Sequence, residues 1–288
     1  MRREWFWMEK LPKGVKRRVT LYIVLRLLVI VVLILQIHQR NYNNVFTCIL
    51  TLVLFMIPAI ADRKLNIKLP TALEVVILLF IFAAEILGEI QGFYLAFKYW
   101  DLMLHTINGF LMAAIGFAMI DILNQNPRIH INLSPAFVAF VAFCFSMTIG
   151  VVWEFFEFGM DTYARTDMQK DTLCQTVSSV DFNPAGVNVP VVVSDIQETV
   201  IHGTIKGEQT ELVIEGGYLD TGLRDTMEDM LVNLIGAVVF SGLGFFYIKN
   251  RGKGRIVPSF IPRLKTKAEI AETEKELEEL RQKRGKTE

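Results

Sequence analysis

The apolar run that ends in VVWEFFEFGMD carries three carboxylates, Glu154, Glu157 and Asp161. Spacings of three and seven residues place them on one face of a helix. Related pairs occur elsewhere. Asp101 and His105 stand four residues apart, as do Asp225 and Asp229, with Glu228 between the latter two. Each pair offers two ligand atoms from one helix face. Carboxylates on facing helices of a bundle can hold divalent metals. An oxygen set suits Mg²⁺, Ca²⁺ or Mn²⁺, and a histidine admits Zn²⁺ or Mn²⁺. The candidate metal ligands are therefore Asp101, His105, Glu154, Asp225 and Asp229. Glu157 is the candidate general base should such an ion activate water. The implied cofactor is a divalent metal ion whose identity the donors leave open. Shared protons are the alternative.

The elements that carry these residues are apolar. Of 288 residues, 52% are apolar, which is too many for an ordinary soluble domain. They fall into six runs of about 20 residues, the length that spans a bilayer: roughly 19–37, 45–61, 71–90, 102–123, 135–160 and 226–248. No small-x-small cleavage pattern follows the first run, so it reads as a retained helix. The expected fold is an all-α integral membrane protein. It has six transmembrane helices, a small extracytoplasmic β insertion and a charged cytoplasmic C-terminal helix.

Lysine and arginine near the helix ends set the orientation. The first 18 residues hold seven: Arg2, Arg3, Lys10, Lys13, Lys16, Arg17 and Arg18. Arg40 is alone in the 38–44 turn, Lys98 in the 91–101 loop and Arg128 in the 124–134 loop. The 62–70 loop has Arg63, Lys64 and Lys68, and the tail from Lys249 is basic. This alternation predicts both termini in the cytoplasm and the 161–224 loop outside, in an inner or plasma membrane. Residues 1–18 form a basic, aromatic stretch in which Trp5, Phe6 and Trp7 read as an interfacial anchor. Residues 19–160 carry helices 1–5, 225–248 carry helix 6, and 249–288 form the cytoplasmic tail.

On this topology the acids share a depth. Glu85, Glu89, Glu154, Glu157 and Asp161 end outward-running helices, while Asp101, Asp225, Glu228 and Asp229 open inward-running ones. Asp101 and Asp225 taken singly are helix N-terminal caps. A lone His105 is a hydrogen-bonded structural residue. Capping fails for the glutamates, because a helix C-terminus is already negative. A carboxylate within the bilayer costs roughly 2.5–3.5 kcal/mol on insertion scales and usually faces a bundle interior. The nearby cations are few: Lys98, Arg165, Arg224, Arg40, and His105 when protonated.

Other features read as packing or surface. Arg26 snorkels toward the cytoplasm. Ala84, Gly88 and Gly92 form a small-residue ridge on helix 3, with Gly109, Ala113, Gly236 and Ala237 as further close-packing positions. VPVVV and TVIHGTIKGEQTELVIEGG read as strands turning at KGEQ, giving a hairpin or three-stranded patch. The C-terminal KAEIAETEKELEELRQKRGK reads as a solvated helix. Cys48 and Cys144 lie within spans, and Cys174 stands in the outer loop.

Three segments resemble the YjdF-like family of bacterial inner-membrane proteins: WDLMLHTINGF (100–110), WEFFEF (153–158) and RDTMEDMLVNLIGA (224–237). The last is also loosely similar to VanZ-like membrane proteins. The resemblance covers helices 3–6 and implies a small polytopic membrane protein without supplying a reaction. Asn108 stands where relatives often have Gln, and residues 165–218 look like an insertion in a usually short loop.

Three functional readings stay open. One is a binding or transport protein whose outward-facing acidic site holds a divalent cation or protons. Another is a membrane-embedded, metal-dependent hydrolase or transferase on lipid or envelope material. The third is a structural or regulatory protein. The partners expected are the lipid bilayer and an envelope or protein partner at the outer loop, with no nucleic acid. On this topology an impermeant thiol reagent should label Cys174 in intact cells; labelling only after lysis would reverse the orientation.

Overall fold

The computed structural model describes residues 13–124, 133–250, 252–271 and 273–275. The Trp5–Phe6–Trp7 anchor and the end of the charged tail lie outside the described residues. The helices are α1 (Lys13–His38), α2 (Tyr42–Leu54), α3 (Ile57–Lys64), α4 (Thr71–Ile81), α5 (Phe93–Ala96), α6 (Trp100–Asn124), α7 (Pro135–Gly159) and α8 (Leu223–Lys249). The strands are β1 (Ile67–Lys68), β2 (Leu173–Cys174), β3 (Val177–Ser179), β4 (Val191–Val193), β5 (Glu198–Ile205), β6 (Glu208–Glu215), β7 (Tyr218–Leu219) and β8 (Arg263–Leu264).

Among the described residues, six stretches are long and apolar enough to cross a membrane: Arg17–His38, Tyr42–Lys64, Thr71–Ile90, Trp100–Leu123, Pro135–Ala164 and Leu223–Lys249. The protein is thus a mostly helical membrane protein with small strands, as its sequence led us to expect. Large apolar side chains such as Leu27, Ile34, Phe46, Phe140, Phe155 and Val239 are exposed along these helices. That surface suits hydrocarbon, where helices satisfy their own backbone groups.

Three helices depart from the expected form. The second span breaks after Leu54 and resumes as α3, with Pro58 in its first turn, where a missing N–H does no harm. It runs on to Lys64, a little past the apolar run expected over 45–61. Beyond Ile81, α4 widens into a π-helix, Phe82–Ile90, that carries Glu85 and Glu89. This changes the expected small-residue ridge. A side chain at Gly88 would meet the Tyr94 ring, whereas Gly92 has φ +71° and no neighbour within 4 Å. Gly92 therefore serves the turn into α5, not helix packing. A second π turn, Met160–Ala164, continues α7 and contains Asp161.

The chain divides into two compact units, Met1–Gly150 with Val232–Glu288, and Val151–Leu231. The first holds two apolar clusters. α1, α2 and α4 with its π extension meet on Leu25, Val29, Cys48, Phe55, Leu78, Ile81 and Ile86. α6, α7 and α8 meet on Ala113, Ala114, Phe117, Val138, Ala142, Ala237 and Phe240, joined by Val257 of the tail. Phe110 packs edge-on against Phe240 at 4.9 Å and Phe260 at 5.1 Å between centroids. Arg26 lies over the Tyr22 ring, 4.3 Å from its centroid. Tyr22 is one turn toward the helix start, the direction expected for snorkelling.

The tail is fastened to the loop between the second and third spans. β8 pairs antiparallel with β1, Ile67 opposite Leu264. Glu269 accepts from Lys68 at 2.5 Å, from Arg263 at 2.8 and 2.9 Å, and from the Thr266 N–H at 2.9 Å. Lys265 donates to Asp62 at 2.9 Å. Arg18 of α1 pairs with Glu74 of α4 at 2.6 Å. Basic segments assigned to one side by their charge are thus in mutual contact.

In the second unit β5 and β6 form an antiparallel hairpin, Val200 opposite Val213. Its two-residue turn has Lys206 at φ 50° and Gly207 at φ 89°, the left-handed pair that matches strand twist. The hairpin reading of the insertion holds. VVV of β4 pairs with β3 instead of joining the hairpin. β2 and β7 close the neck of the insertion.

Cys174 in β2 is only 4% exposed, so a thiol reagent tests folding there as much as sidedness. A cysteine at Val187, which is 51% exposed, is the better topology probe. It should react with an impermeant reagent in intact cells, and protection until lysis would reverse the orientation. The clasp gives a second test. Arg263 first, then Lys68, hold the Glu269 carboxyl well below the ordinary carboxylate range. Its contribution to the folded tail is therefore present above the ordinary pKa and lost only as pH falls through the depressed one. Hydrogen exchange of β1 and β8 should stay slow down to strongly acid pH and speed several-fold in Glu269→Gln at neutral pH. Equal exchange in the two proteins would show that the strand pair holds without Glu269.

Candidate functional site

α6 and α8 carry Asp101, His105 and Asp229, and glycines let the two backbones meet. A side chain at Gly109 would strike the Asn233 carbonyl, and one at Gly236 would strike the Thr106 carbonyl and, at 2.8 Å, the Phe110 nitrogen. Any Cβ there would push the helices apart. A third contact brings in α7. A Cβ at Gly150 would lie 2.7 Å from the Asn233 amide nitrogen. Ser146 of α7 donates to the Gly109 carbonyl at 2.8 Å.

Asn233 is 1% exposed. Its amide oxygen accepts from Asn108 at 3.2 Å, and its amide nitrogen lies 3.6 Å from the Met147 sulfur. A buried amide of this kind needs partners, and their directions fix its rotamer. Sequence reading singled out Gly109 and Gly236 as packing residues. It missed Ser146 and Gly150, whose roles depend on what faces them from another helix.

One turn from this crossing are the ionisable residues. His105 adjoins Thr106 on α6, and its Nε2 lies 3.5 Å from Asp101 Oδ1. Asp229 lies one turn before Asn233 on α8. His105 is 6% exposed and Asp229 1%. Asp101, His105 and Asp229 each offer one ligand atom, and these atoms lie within 4.8 Å of one another. Ligand atoms around one ion at 2.0–2.4 Å stand roughly 3–3.5 Å apart. The group therefore has the donors of a metal site and would tighten by about 1 Å to close on an ion.

The remaining expected site residues are placed as follows. Glu154 and Glu157 are buried at 4% and 7%, while Phe155, Phe156 and Phe158 are 50–69% exposed. Glu154 and Glu157, expected on one face, are thus turned inward and the phenylalanines outward. Glu157 accepts from Trp153 Nε1 at 2.9 Å, one turn away. Among the described residues, the group that can hold an ion includes neither Glu154, Glu157 nor Asp225.

Asp225 and Asp161 anchor the loop between α7 and α8. Asp225 accepts the Lys170 N–H at 2.7 Å. Asp161 accepts from Thr166 Oγ1 at 2.8 Å and from the N–H groups of Met168 and Gln169 at 2.7 and 2.8 Å. Gln169 donates to Thr226 at 2.5 Å, and Asp220 accepts the Thr172 and Arg224 N–H groups at 2.8 and 3.0 Å. The base of the insertion is thus stitched to the helix ends. A linker replacement that spares these bonds has to start after β2 and stop before β7.

A family model described as "Predicted membrane protein (DUF2238)" matches residues 20–250. No curated protein matches the chain, and no solved structure does.

The stitching predicts that Asp161→Ala, which removes an acceptor shared by three donors, destabilises the loop by about 1–3 kcal/mol. Trypsin should then cut faster at Arg165 and Lys170. An unchanged rate would mean the loop is held elsewhere.

Proposed function

Since the chain belongs to the DUF2238 family of predicted membrane proteins, whose description names no activity, we propose a function from its site: a membrane protein that binds a divalent cation through Asp101, His105 and Asp229. The observation that carries this is the grouping of those three donors, two of them buried, in a helical membrane protein. Asp229, 1% exposed within one span, and Asp101 in the first turn of another are costly to hold as anions. A divalent cation neutralises both. The mixed oxygen and nitrogen set favours Zn²⁺ or Mn²⁺ over Mg²⁺.

Glu154 is the candidate to complete the shell, being buried on the carboxylate face of α7. On the charge-derived topology the site opens to the extracytoplasmic side of a plasma or inner membrane, with both termini in the cytoplasm. Phe110, Phe117, Phe240 and Phe260 pack as an apolar floor on the other side of the Gly109–Asn233 crossing. Such a floor favours a binding site open on one side over a continuous transport path. The narrower name YjdF-like rests on the three motifs of the sequence, and the looser VanZ likeness on RDTMEDMLVNLIGA alone. The insertion with its exposed hairpin is the place for an envelope or protein partner.

A hydrolase or transferase reading draws on Glu157, whose carboxylate Trp153 holds in one orientation. There the ion would supply an activated water and Glu157 would accept its proton.

Purified protein should bind about one Zn²⁺ or Mn²⁺ per chain in a calorimetric titration. His105→Gln and Asp229→Asn should weaken binding by at least about tenfold, while Asp225→Asn, whose carboxylate serves the loop, should stay within about twofold. No saturable binding, or full binding by Asp229→Asn, would contradict the proposal.

A further inference from the structure

We propose that the α6–α8 crossing at Gly109, Asn233 and Gly236 sets the ligand spacing of the cation site and so selects ions by size. This rests on the cation-binding reading above. Gly109 receives the Asn233 carbonyl while Gly236 receives the Thr106 carbonyl, so each helix supplies both a notch and a ridge. The two contacts lie three residues apart on either helix, less than one turn, and pin both translation and separation.

The ligands ride on the adjacent turns. His105 precedes Thr106 by one residue, Asp101 is one turn before His105, and Asp229 is one turn before Asn233. An α-helix is stiff over one turn, about 5.4 Å. A displacement at the crossing is therefore passed on to the ligand atoms almost undiminished.

Asn233 fixes the third direction. Its side chain fills the space over Gly150 and accepts from Asn108, which ties the rotation of α8 to α6 and α7. An aliphatic residue of similar size would fill the volume but leave Asn108 without this acceptor. Asn233 is thus a positioning residue, acting through Asp229 and His105.

Size selection follows from bond lengths. Zn²⁺ and Mn²⁺ need ligand atoms drawn in to about 2.0–2.2 Å, whereas Ca²⁺ accepts 2.3–2.6 Å and more ligands. Helices held at glycine distance favour the smaller ions. Wedging them apart penalises small ions first and leaves Ca²⁺ the better fit.

The experiment titrates Mn²⁺ and Ca²⁺ into the purified full chain and compares the ratio of their affinities. Gly109→Ala and Asn233→Leu should lower that ratio at least tenfold, chiefly through weaker Mn²⁺ binding. Gly116→Ala is the control for packing alone, since its Cβ would meet Phe145 at 2.9 Å on a later turn of α6; it should lower thermal stability and leave the ratio alone. If Gly109→Ala fails to insert, Asn108→Leu removes only the amide bond to Asn233 and should shift the ratio in the same direction. An unchanged ratio in folded Asn233→Leu and Asn108→Leu, or an equal shift in Gly116→Ala, overturns size selection by the crossing while leaving cation binding intact. A wild-type protein that binds neither ion overturns the cation-site reading and this inference with it.

Discussion

Carboxylates placed within membrane-spanning helices need compensation. Asp229 is 1% exposed and Glu154 4%, and both belong to helices whose outer faces are leucine, phenylalanine and valine. Burying such groups as free anions is far more expensive than pairing, protonating or metallating them. Much of the fold near α6, α7 and α8 can be read as a response to that constraint. Phe155, Phe158 and Val239 are exposed as a lipid-facing surface would be, Glu154, Glu157 and Asp229 are buried, and His105 stands 3.5 Å from Asp101.

Bringing ligands together from different helices requires close backbones. Ordinary helix pairs stand 8–10 Å apart, and glycine at the contact permits the closer end of that range. Gly109 and Gly236 provide it here, and the buried Asn233 amide adds direction to what glycine alone leaves slippery. Beyond this polar layer the bundle is mostly apolar, with Ser241 buried as well. Phe110, Phe240 and Phe260 stack edge to face, and the tail contributes the last of them. The clasp around Glu269 then holds that tail against the loop at Lys68.

The six spans were legible because a bilayer imposes a length and a composition that a local window can read. The hairpin was legible because Lys206–Gly207 sits between alternating strands. Asp101, His105 and Asp229 were among the residues that spacing picked out. Asp225 was picked by the same spacing, and its bond to Lys170 depends on how a loop folds back, which no periodicity encodes. The π-helix over Phe82–Ile90 was invisible for a similar reason: about two slightly wider turns leave the apolar pattern nearly unchanged. Ser146 and Gly150 carry no chemistry alone and acquire roles only from Gly109 and Asn233 opposite them.

In the proposed site His105 and two aspartates, Asp101 and Asp229, hold one divalent cation. Electron paramagnetic resonance of bound Mn²⁺ addresses it most directly, because coupling to a nitrogen nucleus reports an imidazole ligand. One bound Mn²⁺ per chain with nitrogen coupling in the wild type, and loss of that coupling in His105→Gln, is the expected result. Mn²⁺ that stays in the free aqueous state, or nitrogen coupling that survives in His105→Gln, would contradict it.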